Sequence, residues 1–163
     1  MKILFLGYGK DKTKLIDFLE NRGHSVKHAT VNEEKFSDYD LIISFGYRYL
    51  IKSIDLKTLK RPIINLHISY LPYNRGSHPN FWSHFENTPS GVSIHEIDEG
   101  VDTGPIIFRK KVEFDDSKIT LEKSYNYLKS EIEELFKKNI HLIESREYRI
   151  IFSKERGTYH NKS

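Results

Sequence analysis

The chain has 163 residues, of which 37% are hydrophobic and 30% charged, with a net charge of +3 and no cysteine. This length suits one domain with a sizeable core, and the composition excludes a membrane-spanning or fully disordered chain. Without cysteine there is no disulfide, zinc–thiolate site or thiol nucleophile; the mild basicity favours anionic small molecules, and no arginine-rich patch with interleaved aromatics points to nucleic acid.

Taken in chain order, "KILFL" at 2–6 is β-prone and ends at Gly7 and Gly9, which makes it a first strand. It lacks the small-residue cleavage site of a signal peptide, and a cytoplasmic location is expected. Leu15, Ile16, Phe18 and Leu19 mark the inner face of a helix ended by Gly23. Residues 24–31 alternate as a second strand, and 32–38 read as a loop or short turn. "DYDLIISFG" at 38–46 is a third strand with a continuous apolar middle, suited to burial on both faces. Helical spacing covers 49–61, and "PIINLH" at 62–67 is a fourth strand. Phe81, Trp82 and Phe85 predict a short helix after Pro79. Residues 91–98 and 104–114 are two further strands joined by a tight acidic loop. A long helix begins at a Thr120 cap and runs to about Ser145, its apolar residues at helical spacing. "YRIIFS" adds a late strand. Alternating strands and helices define an α/β, Rossmann-like three-layer fold with a mainly parallel central sheet. In such sheets ligands bind outside the carboxyl ends of the strands.

Asn65 and His67 lie two apart on an extended segment, so their side chains point to one face. An amide can donate to an oxygen that becomes negative, and an imidazole can donate or move a proton near neutral pH. A strand end whose polar groups only bond the backbone fits the same spacing. The loop "IDEGVDTGP" at 97–105 holds Asp98, Glu99 and Asp102 between glycines. A carboxylate there can orient an imidazole, and a solvated turn has the same composition. "GYGK" at 7–10 departs from the dinucleotide fingerprint because position 12 is Lys; it is a tight turn or an anion contact through backbone N–H groups. Residues 44–51 leave a buried strand through Gly46 into aromatic and apolar residues, which line a flat pocket or simply pack. His95, within a strand, is read as a hydrogen-bonded structural histidine and Trp82 as a packing anchor. No metal-ligand spacing and no nucleophile elbow occur.

The stretches "NLHISYLPYNRG" and "GVSIHEIDEGVDTGPII" resemble the catalytic domain of formyltransferases that use N10-formyltetrahydrofolate. The resemblance covers roughly residues 1–115, and the long helix fits the family's closing helix. It implies the formyltransferase fold over 1–150, with 151–163 a tail that begins a further C-terminal portion. It also implies a catalytic triad of Asn65, His67 and Asp102. Asn65 and protonated His67 would stabilise the oxyanion formed when an amine attacks the formyl carbon. Asp102 would hold His67 and help take the surplus proton. Gly46, Tyr47, Tyr49, Leu50 and Ile51, with Ile97, Asp98 and Val101, would surround the pterin of the folate. The acceptor side would involve Ser69, Tyr73, Asn74, Arg75 and Gly76, with Gly9 and Lys10 as phosphate contacts. "NRGSHPNFWS" and "ERGTYHNKS" resemble the branch that acts on nucleotide-linked amino sugars for surface polysaccharides. Related alternatives are glycinamide ribonucleotide or methionyl-tRNA as acceptor; a non-catalytic folate- or nucleotide-binding module is the alternative of another class. The expected partners are small molecules and no membrane, with a homodimer through an apolar edge strand or the late helix as one option; no metal is needed.

Overall fold

Residues 3–6 of the first strand are fully buried, with Ile3 and Phe5 facing one core and Leu4 and Leu6 another. That split is the period-two alternation of an extended chain covered on both faces. The computed structural model describes residues 1–31, 34–115 and 117–161. Among them, β1 (Lys2–Gly7), β2 (Ser25–Ala29), β3 (Leu41–Phe45), β4 (Ile64–His67), β6 (Ser90–Glu96) and β7 (Ile106–Val112) form one sheet in the order β2-β1-β3-β4-β6-β7. The pairs among β2, β1, β3 and β4 are parallel, whereas β4–β6 and β6–β7 are antiparallel. The sheet is therefore mixed, with its parallel half contributed by the first four strands.

Helices α1 (Leu15–Asn21) and α4 (Leu121–Ser145) cover one face. Leu128, Ile132, Phe136 and Ile140 of α4 pack there against Ile64, Leu66, Val92 and Ile94. A 3₁₀ turn at Phe36–Asp38 and the residues around α2 (Ser53–Lys57) cover the other, over Leu4, Leu6, Ile42 and Ile63. Thr120 caps α4 by accepting from the Lys123 N–H, as its position predicts. α3 (Pro79–Phe85) starts with Pro in its first turn.

Three elements differ from the sequence pattern. The helical spacing over 49–61 contracts to Ser53–Lys57; Tyr49 and Leu50 stay outside the helix with largely exposed side chains. "YRIIFS" makes one antiparallel bridge, Ile151 to Ile106, before the chain leaves the sheet edge. Instead, the chain pairs further on: β8 (Tyr159–His160) runs parallel to β5 (Arg75–Gly76), a two-residue ladder between segments far apart in sequence. Part of the expected loop at 32–38 and the last two residues of the 151–163 tail lie outside the described residues.

Candidate active site

Where β1, β3 and β4 end, the chain opens a cleft of about 860 Å3. Its walls come from Tyr8 after β1, residues 44–51 at the end of β3 and just beyond, residues 65–68 at the end of β4, and the β6–β7 loop. This is the carboxyl edge of the parallel half-sheet, the place where α/β sheets bind ligands. Gly46, Tyr47, Tyr49, Leu50, Ile51, Ile97, Asp98 and Val101 all line it, together with Asn65, His67 and Asp102.

The three polar residues converge. His67 Nε2 stands 3.5 Å from Asp102 Oδ2. Asp102 sits in the left-handed region at φ 51°, and its Oδ2 accepts the Gly76 N–H at 2.9 Å. Asp98 holds the shape of that loop, its Oδ1 accepting from Gly100 N and Thr103 Oγ1. At Gly104 a Cβ would lie 1.8 Å from the Glu96 carbonyl oxygen, so the close return of the loop onto β6 requires glycine.

Burial pushes the His67 imidazole below its ordinary value, against the opposing pull of Asp102 and a hydrogen bond with the Asn74 main chain. Burial thus favours the neutral form of the resting ring over the imidazolium that the resemblance implies. Its Nε2 is buried and has no hydrogen-bond partner. Burial also works against ionisation of Asp102, but the neighbouring His67 and His95 rings and the Gly76 N–H together hold the carboxyl well below the usual carboxylate range. A lone-pair nitrogen beside a fixed carboxylate is a proton acceptor whose charged form has its counter-ion in place.

The acceptor-side residues divide. Gly76 lines the cleft, whereas Ser69, Tyr73, Asn74 and Arg75 build the loop behind it. Ser69 Oγ donates to the Tyr73 carbonyl, and buried Asn74 bonds Thr88 and Thr158. Gly9 and Lys10 lie outside the cleft lining; Lys10 is held by Asp17 and Glu20 of α1. Sequence reasoning missed His95, Tyr8, Tyr125, Tyr159 and His160, all of which line the cleft. The last two belong to the "GTYH" segment, whose motif character was visible but whose partner strand was not. His95 lies directly opposite Asn65 across β4–β6, a register that only the pairing reveals.

Tyr47 Oη is buried without a hydrogen-bond partner, and burial pushes its pKa up. An unpaired hydroxyl on a cleft wall is a candidate ligand contact. Tyr47→Phe tests the folate contact that the sequence resemblance implies: tetrahydrofolate binding is expected to weaken about twofold to tenfold, as measured by calorimetric titration. Unchanged affinity would remove the hydroxyl from the site while leaving the loop in it.

A mixed α/β sheet whose parallel carboxyl edge opens on a cleft with an amide, an imidazole and a carboxylate on its wall is a domain built around a small-molecule site. The formyl transferase family profile matches residues 10–140, and the chain belongs to that family. GDP-perosamine N-formyltransferase of Brucella melitensis is 34% identical over 96 residues, 55% of this chain and 37% of that protein. dTDP-4-amino-4,6-dideoxyglucose formyltransferase of Mycobacterium bovis is 36% identical over 73 residues, 45% of this chain and 30% of that protein. The chain thus spans about a third of the length of these curated relatives. The crystal structure of the formyltransferase PseJ from Anoxybacillus kamchatkensis, in complex with UDP-4,6-dideoxy-4-formamido-L-AltNAc and tetrahydrofolate, superposes with a TM-score of 0.91 at 41% identity. It covers 99% of this chain and 86% of that one. Among the described residues no helix is long and apolar enough to cross a membrane, and no group of three or more His, Cys, Asp or Glu side chains is placed to hold a metal ion.

Proposed function

We propose that this chain transfers the formyl group of N10-formyltetrahydrofolate to the amine of a nucleotide-linked 4-amino-4,6-dideoxy sugar. The observation that carries this is the buried, unpartnered Nε2 of His67 on the cleft wall, 3.5 Å from the Asp102 carboxylate. A 41% identical neighbour with tetrahydrofolate and a UDP-linked 4-formamido sugar bound supports the choice of both small molecules and favours UDP as the nucleotide. The residues lining the cleft from 46–51 and 97–101 suit a flat heterocycle, and among the described cleft-lining residues Tyr47 Oη and His67 Nε2 are buried polar atoms without a hydrogen-bond partner, free to meet ligands. Residues 1–150 form the catalytic unit, and the segment after 150 completes its acceptor side.

In this scheme the sugar amine bonds to the formyl carbon and the carbonyl oxygen takes the electron pair. An Asn65 N–H receives that oxyanion. The attacking nitrogen loses its proton to His67 Nε2, and Asp102 stabilises the imidazolium. The bond from the formyl carbon to N10 then breaks, and N10 takes a proton from His67, which returns the ring to its resting state. Mass-spectrometric assay with N10-formyltetrahydrofolate is expected to give a mass gain of one formyl group on UDP-linked 4-amino sugars, ahead of GDP- and dTDP-linked ones. Formylation of glycinamide ribonucleotide or methionyl-tRNA alone would replace the sugar acceptor. Folate binding without transfer to any amine would favour a binding module.

A further inference from the structure

His95 is among the polar side chains on the cleft wall that have no part in this scheme. His95 is 1% exposed and sits where a register shift breaks the β6–β7 pairing, between Ile94 and His95. Such bulges re-aim side chains beside active sites. Asn65 lies directly opposite on β4, so both side chains share the cleft face, while Val92 and Ile94 belong to the core under α4.

The ring's tautomer follows from its partners. His95 Nδ1 is 2.8 Å from the Glu96 carbonyl oxygen, which only accepts, so Nδ1 carries the proton. In the neutral ring Nε2 is then a lone pair. The atom 3.0 Å from it is Asn65 Nδ2. Turning that carboxamide over would set its oxygen against the lone pair, so the network selects the amide orientation.

We propose that His95 is a positioning residue for formyl transfer: it accepts one N–H of Asn65 and so keeps the other N–H of the same amide for the formyl oxygen. This rests on the formyl-transfer scheme above. The groups facing His95 are few. Asp102 Oδ1 is 3.5 Å from its Nε2, and the His67 ring stands nearly perpendicular with centroids 6.1 Å apart. Its β7 neighbour is the apolar Ile106, and the adjacent Glu96 carboxylate is bonded by the Tyr148 hydroxyl.

The test compares His95→Gln with His95→Leu in the full chain. Gln retains an acceptor near the Nε2 position, whereas Leu retains only bulk. His95→Leu is expected to lower kcat about tenfold or more, the scale of a misaligned oxyanion donor, with both KM values within about threefold of wild type. His95→Gln is expected to recover kcat to within about threefold. Equal losses in the two variants, or none in His95→Leu, would overturn the proposal. A second readout needs neither turnover nor a variant that folds: 15N spectra of the histidine- and asparagine-labelled wild-type protein. The expected result is an Nδ1–H tautomer at His95 and Asn65 carboxamide signals coupled to His95 Nε2 through their shared hydrogen bond. An Nε2–H tautomer, or Asn65 signals indifferent to His95, would sink it. A wild-type protein that transfers no formyl group would refute the function while these spectra still decided the role of His95.

Discussion

Asp102→Asn is expected to lower kcat by about 10²–10⁴-fold, the range for losing an acid–base partner, with the fold intact. The substitution is clean for a geometric reason. Asp102 is at φ 51°, and Asn is among the few side chains that tolerate that region. An Asn oxygen can still accept the Gly76 N–H that Asp102 Oδ2 now accepts at 2.9 Å. Only the charge is removed. Burial already pushes His67 towards its neutral form, so without the carboxylate 3.5 Å away a proton taken from the substrate amine has no counter-ion. Raising the pH does not rescue the variant, because the resting ring is already neutral and its basicity is what is lost. Single-turnover formyl transfer, alongside thermal melting, makes the measurement. His67→Gln should lose a comparable amount, and the double variant little more, since the two residues act as a unit. Wild-type kcat in Asp102→Asn would remove the carboxylate from the mechanism.

The readable parts of this molecule were those that local chemistry determines. Ile63–Ile64 and 41–45 are apolar runs buried on both faces of a sheet, and period-two spacing alone put Asn65 and His67 on one side. The glycine-bounded acidic loop also marked itself, because Gly104 must approach Glu96 without a Cβ. Long-range pairing was hidden. His95 reads as an ordinary strand residue until β6 is set antiparallel to β4 and brings it opposite Asn65. The helix expected over 49–61 shortened because Tyr49 and Leu50 line the cleft instead of following the helical spacing. The charge state of His67 was likewise invisible, since it depends on desolvation that no motif encodes. Lys10 looked available for phosphate in the sequence, yet it pairs with Asp17 and Glu20, one turn apart on α1.

Removing residues 157–163 is expected to cost about 10²-fold in kcat, the scale of a misplaced catalytic group, for a small change in melting temperature. Its described residues, 157–161, contribute no buried residue to either apolar cluster. What it does is hold a loop. Thr158 N donates to the Pro72 carbonyl, Arg75 N to the Thr158 carbonyl and Ser77 N to the His160 carbonyl, at 3.0–3.2 Å. The Thr158 hydroxyl accepts from Asn74 N at 2.8 Å. The loop so held carries Gly76, whose N–H fixes the Asp102 carboxylate. Gly76→Ala tests the same link from the other side. At φ 92° a Cβ is strained, and it would lie 2.2 Å from the His160 carbonyl oxygen. The ladder must open, so kcat should fall as in the truncated chain. In a chain lacking 157–163 the His160 oxygen is gone, and Gly76→Ala should then add only its backbone strain. Full additivity of the two changes would mean that the segment and Gly76 act separately on the site. Undiminished kcat in the truncated chain would mean that β4 and the β6–β7 loop hold Asp102 and His67 together unaided.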